Sequence, residues 1–356
     1  MTTPVIGDGP GTTDAASIVA EGRHRRRRRA VTVTAVLAAL IVVAVVVSLS
    51  LGATGLGLGD ALAALVGRGD RLSDFVVFRL RLPRATTAVL AGAAFGLAGS
   101  LFQSTLRNPL ASPDILGVTA GASFAAVFAT LILRVDGPGI AVAAFAGALI
   151  VAALMWALAW RGGLVGYRFV LIGVALAALV QAALGYLITR ADVRDASRAL
   201  VWTVGGIGDT SWPAIGVVGV AILGLLIVVA GVSRRMPVLQ LDDDSARSLG
   251  VDAGRARAGV IVLGVALVAA GTALAGPVAF VALVSAPIAR SLVRGGASAL
   301  AASALVGSLV VLVADLVGQY ALPGGISVPV GIVTGLIGAP YLLWLIATGN
   351  RKGSDG

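Results

Sequence analysis

The stretch AVTVTAVLAALIVVAVVVSLSL, residues 30–51, carries no charged side chain from one end to the other. About twenty apolar residues in a helix cross the ~30 Å hydrocarbon core of a bilayer. Within lipid every backbone N–H and C=O must be satisfied inside the segment, so such a run folds as a helix. Nine further apolar runs follow, near 84–103, 114–133, 138–160, 168–190, 213–233, 257–275, 278–292, 297–318 and 328–348. Hydrophobic residues make up 58% of the 356 and charged residues 12%, which leaves no room for a water-soluble domain. The pattern predicts an all-α polytopic transmembrane helical bundle of about ten spans. Residues 1–29 form an Arg-rich cytoplasmic tail and residues 30–350 a single transmembrane domain.

What is missing narrows the chemistry. Cysteine is absent, so the chain has no disulfide, thiolate nucleophile or Cys-bound metal. The single histidine, His24, belongs to the basic tail, and no metal site or cofactor is expected. The one lysine, Lys352, is followed by Gly353, whereas a Walker A loop needs Gly-Lys-[Ser/Thr] to hold phosphates and Mg²⁺. The chain cannot hydrolyse ATP by that route and is not read as an enzyme. Any ATP-driven work requires another subunit.

The net charge of +10 and the run R-H-R-R-R-R-R at 23–29 could recruit nucleic acid. Arginines beside a first span more simply set its orientation and meet anionic lipid, so no nucleic-acid partner is expected. With the tail inside, ten spans return the C-terminus inside. Eighteen of the Lys and Arg residues then lie on the inner side and nine on the outer, which supports that topology. Five of the nine cluster between Arg68 and Arg84. The first apolar run is too long for the h-region of a signal peptide.

Small residues recur at four-residue spacing, as in Gly92-xxx-Gly96-xxx-Ser100, Gly117-xxx-Gly121 and Gly331-xxx-Gly335, a pattern that lets helix backbones approach closely. Pro109, Pro113, Pro277, Pro287 and Pro329 are placed at or near span ends. A faint echo links residues 88–102 with 264–280, five spans apart, which would make a repeat of inverted topology.

Two polar blocks stand out. The first is R-L-P-R at 81–84, followed after one Gly-rich span by Q-S-T-L-R-N-P-L-A-S-P-D-I-L-G at 103–117. Its two prolines break the helix at the inner surface, and Asp114 is placed to cap the next one. The second is L-D-D-D-S-A-R-S-L-G-V at 241–251. Acidic residues open it and Gly250 closes it, as in a short capped surface helix, which is either a solvated connector or a docking knob for a partner.

Together these blocks resemble the FecCD-type permease family, the membrane subunits of ABC importers for ferric siderophores, haem and cobalamin. The resemblance also rests on R-F-V-L-I-G-V-A-L-A at 168–177, V-W-T-V-G-G at 201–206, T-A-L-A-G-P-V-A-F-V-A-L-V at 272–284 and V-P-V-G-I-V-T at 328–334. The S-P-D after N-P-L-A, together with A-G-P-V-A-F-V-A-L, is most similar to ferric enterobactin-type permeases. The family usually reads Pro-His-Ile-Ala-Arg where this chain has Ala286-Pro287-Ile288-Ala289-Arg290. Ser327 and Val328 stand where a Glu commonly precedes the last Pro-Val-Gly, and Gln319 stands where some relatives carry an outer Arg.

The resemblance implies a bacterial inner-membrane permease that moves a ferric siderophore of catecholate type into the cytoplasm, or alternatively haem or cobalamin. It implies a second permease subunit, identical or paralogous, two ATP-binding subunits and an extracytoplasmic siderophore-binding protein. Arg81, Arg84 and Gln319 would dock the binding protein, with lipid anchoring as the alternative for the two arginines. Asp242, Asp243, Asp244, Ala246, Arg247, Leu249 and Gly250 would form the helix that couples to the ATPase. Gln103, Asn108, Gln181, Asp315 and Thr334 are pathway or gate candidates. The rival from another class is an ion-coupled secondary transporter, which would need acidic or His relays in the membrane. Asp315 is the only acidic residue well inside a span, where it serves either as a structural acceptor or as part of a gate.

Overall fold

A computed structural model of the chain describes residues 12–52, 56–159, 166–208, 210–233, 236–239, 243–294, 299–323 and 326–351. Among the described residues there are no strands, and ten principal helices form the bundle. These are α1 (Thr12–Ser50), α2 (Leu82–Thr105), α3 (Val118–Leu131), α4 (Pro138–Ala159), α5 (Gly166–Arg190), α6 (Trp212–Ser233), α7 (Ala253–Ala275), α8 (Val281–Val293), α9 (Ala299–Tyr320) and α10 (Val330–Arg351). Seven helical segments are long and apolar enough to cross a membrane, the one holding α2 running from Arg71 to Thr105. The apolar segments Val118–Leu131, Val281–Val293 and Val330–Trp344 are shorter. The end of the bundle that holds Arg29 is called here the tail end, and the opposite one the far end.

α2 sits in the middle because its small residues admit neighbours on several sides. It runs antiparallel to α9 in strict register: Arg84 meets Asp315, Gly92 meets Gly307, and Gly96 meets Ser303, so each step along one helix matches an equal step back along the other. A Cβ on Gly92 would stand 2.4 Å from the Gly307 carbonyl oxygen, and one on Gly99 only 1.8 Å from that of Ala282 in α8. Such approaches exclude any side chain and maximise dispersion contact between backbones. On another side α7 offers glycines to two rings, Gly271 facing Phe95 and Gly264 facing Phe102. The two echoing segments, 88–102 and 264–280, therefore pack against each other in opposite directions.

α3 and α8 have 14 and 13 residues, about 20 Å of helix each, and so do not span the core alone. Non-helical backbone leads into both, tolerated at depth only where protein surrounds it. Before α8, Gly276 and Phe280 take φ values of 65° each, and Val278 is buried. This stretch is packed by motifs that are distant in sequence. Gly331 N–H donates to Gly205 O at 3.1 Å, a Cβ on Gly331 would stand 1.8 Å from Val204 O, and one on Gly205 would stand 2.5 Å from Pro277 O. The blocks at 201–206, 272–284 and 328–334 thus meet in one glycine-lined knot at the far end.

α1 runs continuously across residue 29, and the arginines at 23–29 lie exposed along it. Arg29 Nε donates to Leu292 O at 2.7 Å, satisfying a free carbonyl in the last turn of α8. Pro287 does not end a span but lies inside α8.

Candidate functional site

At the far end Arg84 forms a two-pronged ion pair with Asp315, Nε to Oδ2 at 2.9 Å and Nη2 to Oδ1 at 2.8 Å. Gln319 Nε2 adds a third donor to Oδ2 at 2.8 Å. Asp315 is 4% exposed and would be costly as an isolated charge, but here it has three donors and a counter-charge. Two docking candidates, both part-exposed, and one buried gate candidate are therefore a single cluster. Arg81, by contrast, is buried: its Nη1 donates to Leu49 O at 2.5 Å and satisfies a carbonyl in the last turn of α1. A six-residue π-helical segment, Val76–Arg81, precedes α2, with Arg81 turned inward while Arg79 stays exposed. A docking surface that includes the Arg81 guanidinium is not what this geometry presents.

At the tail end α2 stops in a Schellman-type turn, with Asn108 N–H donating to Gln103 O at 3.2 Å and Arg107 at φ 51° where glycine is usual. Asn108 Oδ1 accepts from Leu110 N–H at 2.9 Å and begins the Pro-bounded hairpin. Gln103 is 3% exposed and bridges to α8 in two directions. Its Nε2 donates to Leu283 O at 3.0 Å, and its Oε1 accepts from Arg290 Nη2. Pro287 lacks the N–H that would normally reach Leu283 O, so Gln103 supplies the missing donor. Gln103, Ser104, Arg107, Asn108, Pro109 and Arg290 line an open cleft of about 370 Å³.

Asp114 does not cap α3. Gly117, at φ 78°, holds the N-cap position without a side-chain bond. Asp114 instead lies in the short 3-10 turn Pro113–Leu116, where its Oδ2 accepts from Ser112 Oγ at 3.3 Å. The residue as a whole keeps partial exposure, but Oδ1 is shut from solvent without a partner.

The second polar block forms the six-residue helix Asp243–Ser248, closed by Gly250 at φ 75° with Val251 N–H donating to Ala246 O at 3.0 Å. Asp242 lies outside the described residues, as do the side chains of Asp243, Asp244 and Arg247. Leu249 is 61% exposed, whereas Ala246 is fully buried in the chain itself, so Ala246 cannot offer close approach to a partner. Gln181 on α5 is exposed. Thr334 on α10 is 3% exposed and its hydroxyl donates to Gly331 O at 3.1 Å, which withdraws it from any open pathway surface. The sequence reading missed Arg290 as a site residue, although its neighbour Pro287 was in view. The signal was the combination of a proline and an arginine three residues apart on one short helix. Among the described residues no cluster suited to a metal ion occurs.

Comparison with known proteins gives this geometry a context. The model described as the FecCD transport family matches residues 40–348. The ferric enterobactin transport system permease protein FepG of Escherichia coli (strain K12) is 38% identical over 290 residues, 82% of this chain and 88% of the relative. The Fe(3+)-citrate import system permease protein YfmE of Bacillus subtilis (strain 168) is 34% identical over 286 residues, 80% and 85% of the two chains. Among solved structures, a metal-chelate-type ABC transporter in an inward-facing conformation superposes with a TM-score of 0.79 at 28% identity, covering 89% of this chain and 99% of that one.

Proposed function

Because this chain belongs to the FecCD transport family, we propose that it carries ferric siderophores of the catecholate type through the membrane as the permease subunit of an ABC importer. The observation that carries the reading is the match to importer permeases across almost the entire bundle, at 38% identity to a ferric enterobactin permease. Two copies of the chain, or this chain and a paralogue, enclose the pathway. Two ATPase subunits dock at the tail end, which faces the cytoplasm together with both termini. A binding protein delivers the chelate to the far end.

Within this reading Leu249 is the apolar anchor for the ATPase, presented by a turn that Gly250 closes. At the far end the docking surface centres on the part-exposed Arg84 and Gln319, while Arg81 holds the chain end of α1 from within. An acidic group on the binding protein would compete with Asp315 for Arg84, which gives docking a route to loosen the α2–α9 seam. The carrier alternative loses support because Asp315 is neutralised by Arg84 and is not left as a relay.

Reconstitution tests the reading. The chain with its ATPase and binding protein in proteoliposomes should accumulate radioiron as a ferric catecholate only when ATP is enclosed. Uptake by the chain alone, driven by a proton or sodium gradient, would overturn it, and preference for haem or cobalamin would refute the catecholate assignment.

A further inference from the structure

Arg290 stands out among the cations of the bundle. It lies in the last turn of α8, part-buried, and among the described residues its one hydrogen-bond acceptor is the neutral amide oxygen of Gln103. Among the described residues no carboxylate pairs with it, in contrast to Arg84, Arg134 and Arg255, each of which has an aspartate. A part-buried guanidinium without a counter-charge is an incomplete arrangement, because removal from water is offset only when an anion takes the water's place.

Its surroundings say where that anion comes from. The cleft of about 370 Å³ opens beside Arg290 and is otherwise lined by Gln103, Ser104, Arg107, Asn108 and Pro109, all capable of polar contact except the proline. Arg107 reaches this lining from a left-handed backbone position that glycine would occupy without strain. The cleft lies at the tail end of the bundle, between the last turn of α2 and the last turn of α8. The hairpin beyond Pro109 packs on α5, with Gly117 against Ala177, and α8, which carries Arg290, packs on α10.

We propose that this cleft is an oxyanion-contact site at the tail end of the pathway, where Arg290 and Arg107 meet the negative charge of an outgoing ferric chelate. The proposal rests on the importer reading and specifies the charge of the cargo. Ferric iron held by three doubly charged catecholates carries three negative charges, whereas three singly charged hydroxamates leave it neutral. The first is attracted to an uncompensated guanidinium and the second is not. An open, partly wet cleft makes the contact weak enough for release.

Equilibrium dialysis of the full-length chain in nanodiscs at low salt, with ferric tris-catecholate and neutral ferric tris-acetohydroxamate as probes, tests the site. Arg290→Gln should weaken retention of the trianion at least fivefold, Arg290→Lys should keep it within twofold, and retention of the neutral complex should not change. Arg107→Gly should weaken the trianion two- to threefold while the melting temperature holds or rises, since glycine relieves the backbone. Equal losses for both probes would show that Arg290 only supports the fold, and unchanged trianion retention in both variants would remove the site. Loss of ATPase co-purification with unchanged retention would assign the cleft to an acidic residue of that partner and overturn the proposal. Failure of the wild-type importer to move any ferric chelate would sink the importer reading, while dialysis would still decide the cleft.

Discussion

Gln103 gives Leu283 the hydrogen bond that Pro287 withholds. The proline sits four residues after Leu283 inside α8, and the amide of Gln103 on α2 closes the vacancy at 3.0 Å. Gln103→Leu should therefore cost about 2 kcal/mol, the loss expected when a buried carbonyl is left unsatisfied. Pro287→Ala restores the helical N–H, so the same Gln103→Leu change should cost about 1 kcal/mol less in that background. A double-mutant cycle on thermal or SDS-induced unfolding reads the coupling, and strict additivity would disprove the relationship.

Two helical glycines should respond oppositely to the same substitution. Gly99→Ala forces a Cβ into the Ala282 carbonyl and should cost about 3 kcal/mol or more, because two backbones have to separate. Gly335→Ala meets nothing within 4 Å and should be neutral or stabilising by up to about 1 kcal/mol. Melting temperatures of the two variants, measured side by side, check the contrast.

Breaking the Arg84–Asp315 pair from one side should be worse than removing it. Arg84→Gln leaves a buried carboxylate with Gln319 as its main donor and should cost about 2 kcal/mol, less than a fully buried pair because Arg84 is 27% exposed. Adding Asp315→Asn should recover most of that loss. A double variant less stable than Arg84→Gln would contradict this account.

Leu249→Asp should leave the melting temperature almost unchanged, as an exposed substitution does, within about 0.5 kcal/mol, while the ATPase no longer co-purifies. Ala246→Trp acts differently. Ala246 is buried inside the chain, so the indole should destabilise the Asp243–Ser248 segment itself. Normal ATPase recruitment by Leu249→Asp would remove this turn from the coupling surface.

The sequence by itself determined the helical bundle, its ten principal helices and the family, because membrane spanning depends on local hydropathy and because motif order survives without knowledge of contacts. Gly92, Gly96 and Gly307 could be recognised as packing glycines, but only the structure paired them, since periodicity on one helix says nothing of the register of its neighbour. The same holds for the far-end knot, where Gly205, Gly276 and Gly331 come from three separate motifs. Residue chemistry was legible at Arg81, Arg84, Asp315 and Ala246, yet their exposure was not. A guanidinium can serve a partner protein or a helix end with equal chemistry, and only the tertiary structure decided that Arg81 turns inward to Leu49 and that Arg84 is held by Asp315. Burial and counter-charge are properties of the assembled bundle, set by which helices lie side by side, and no single segment of sequence contains them.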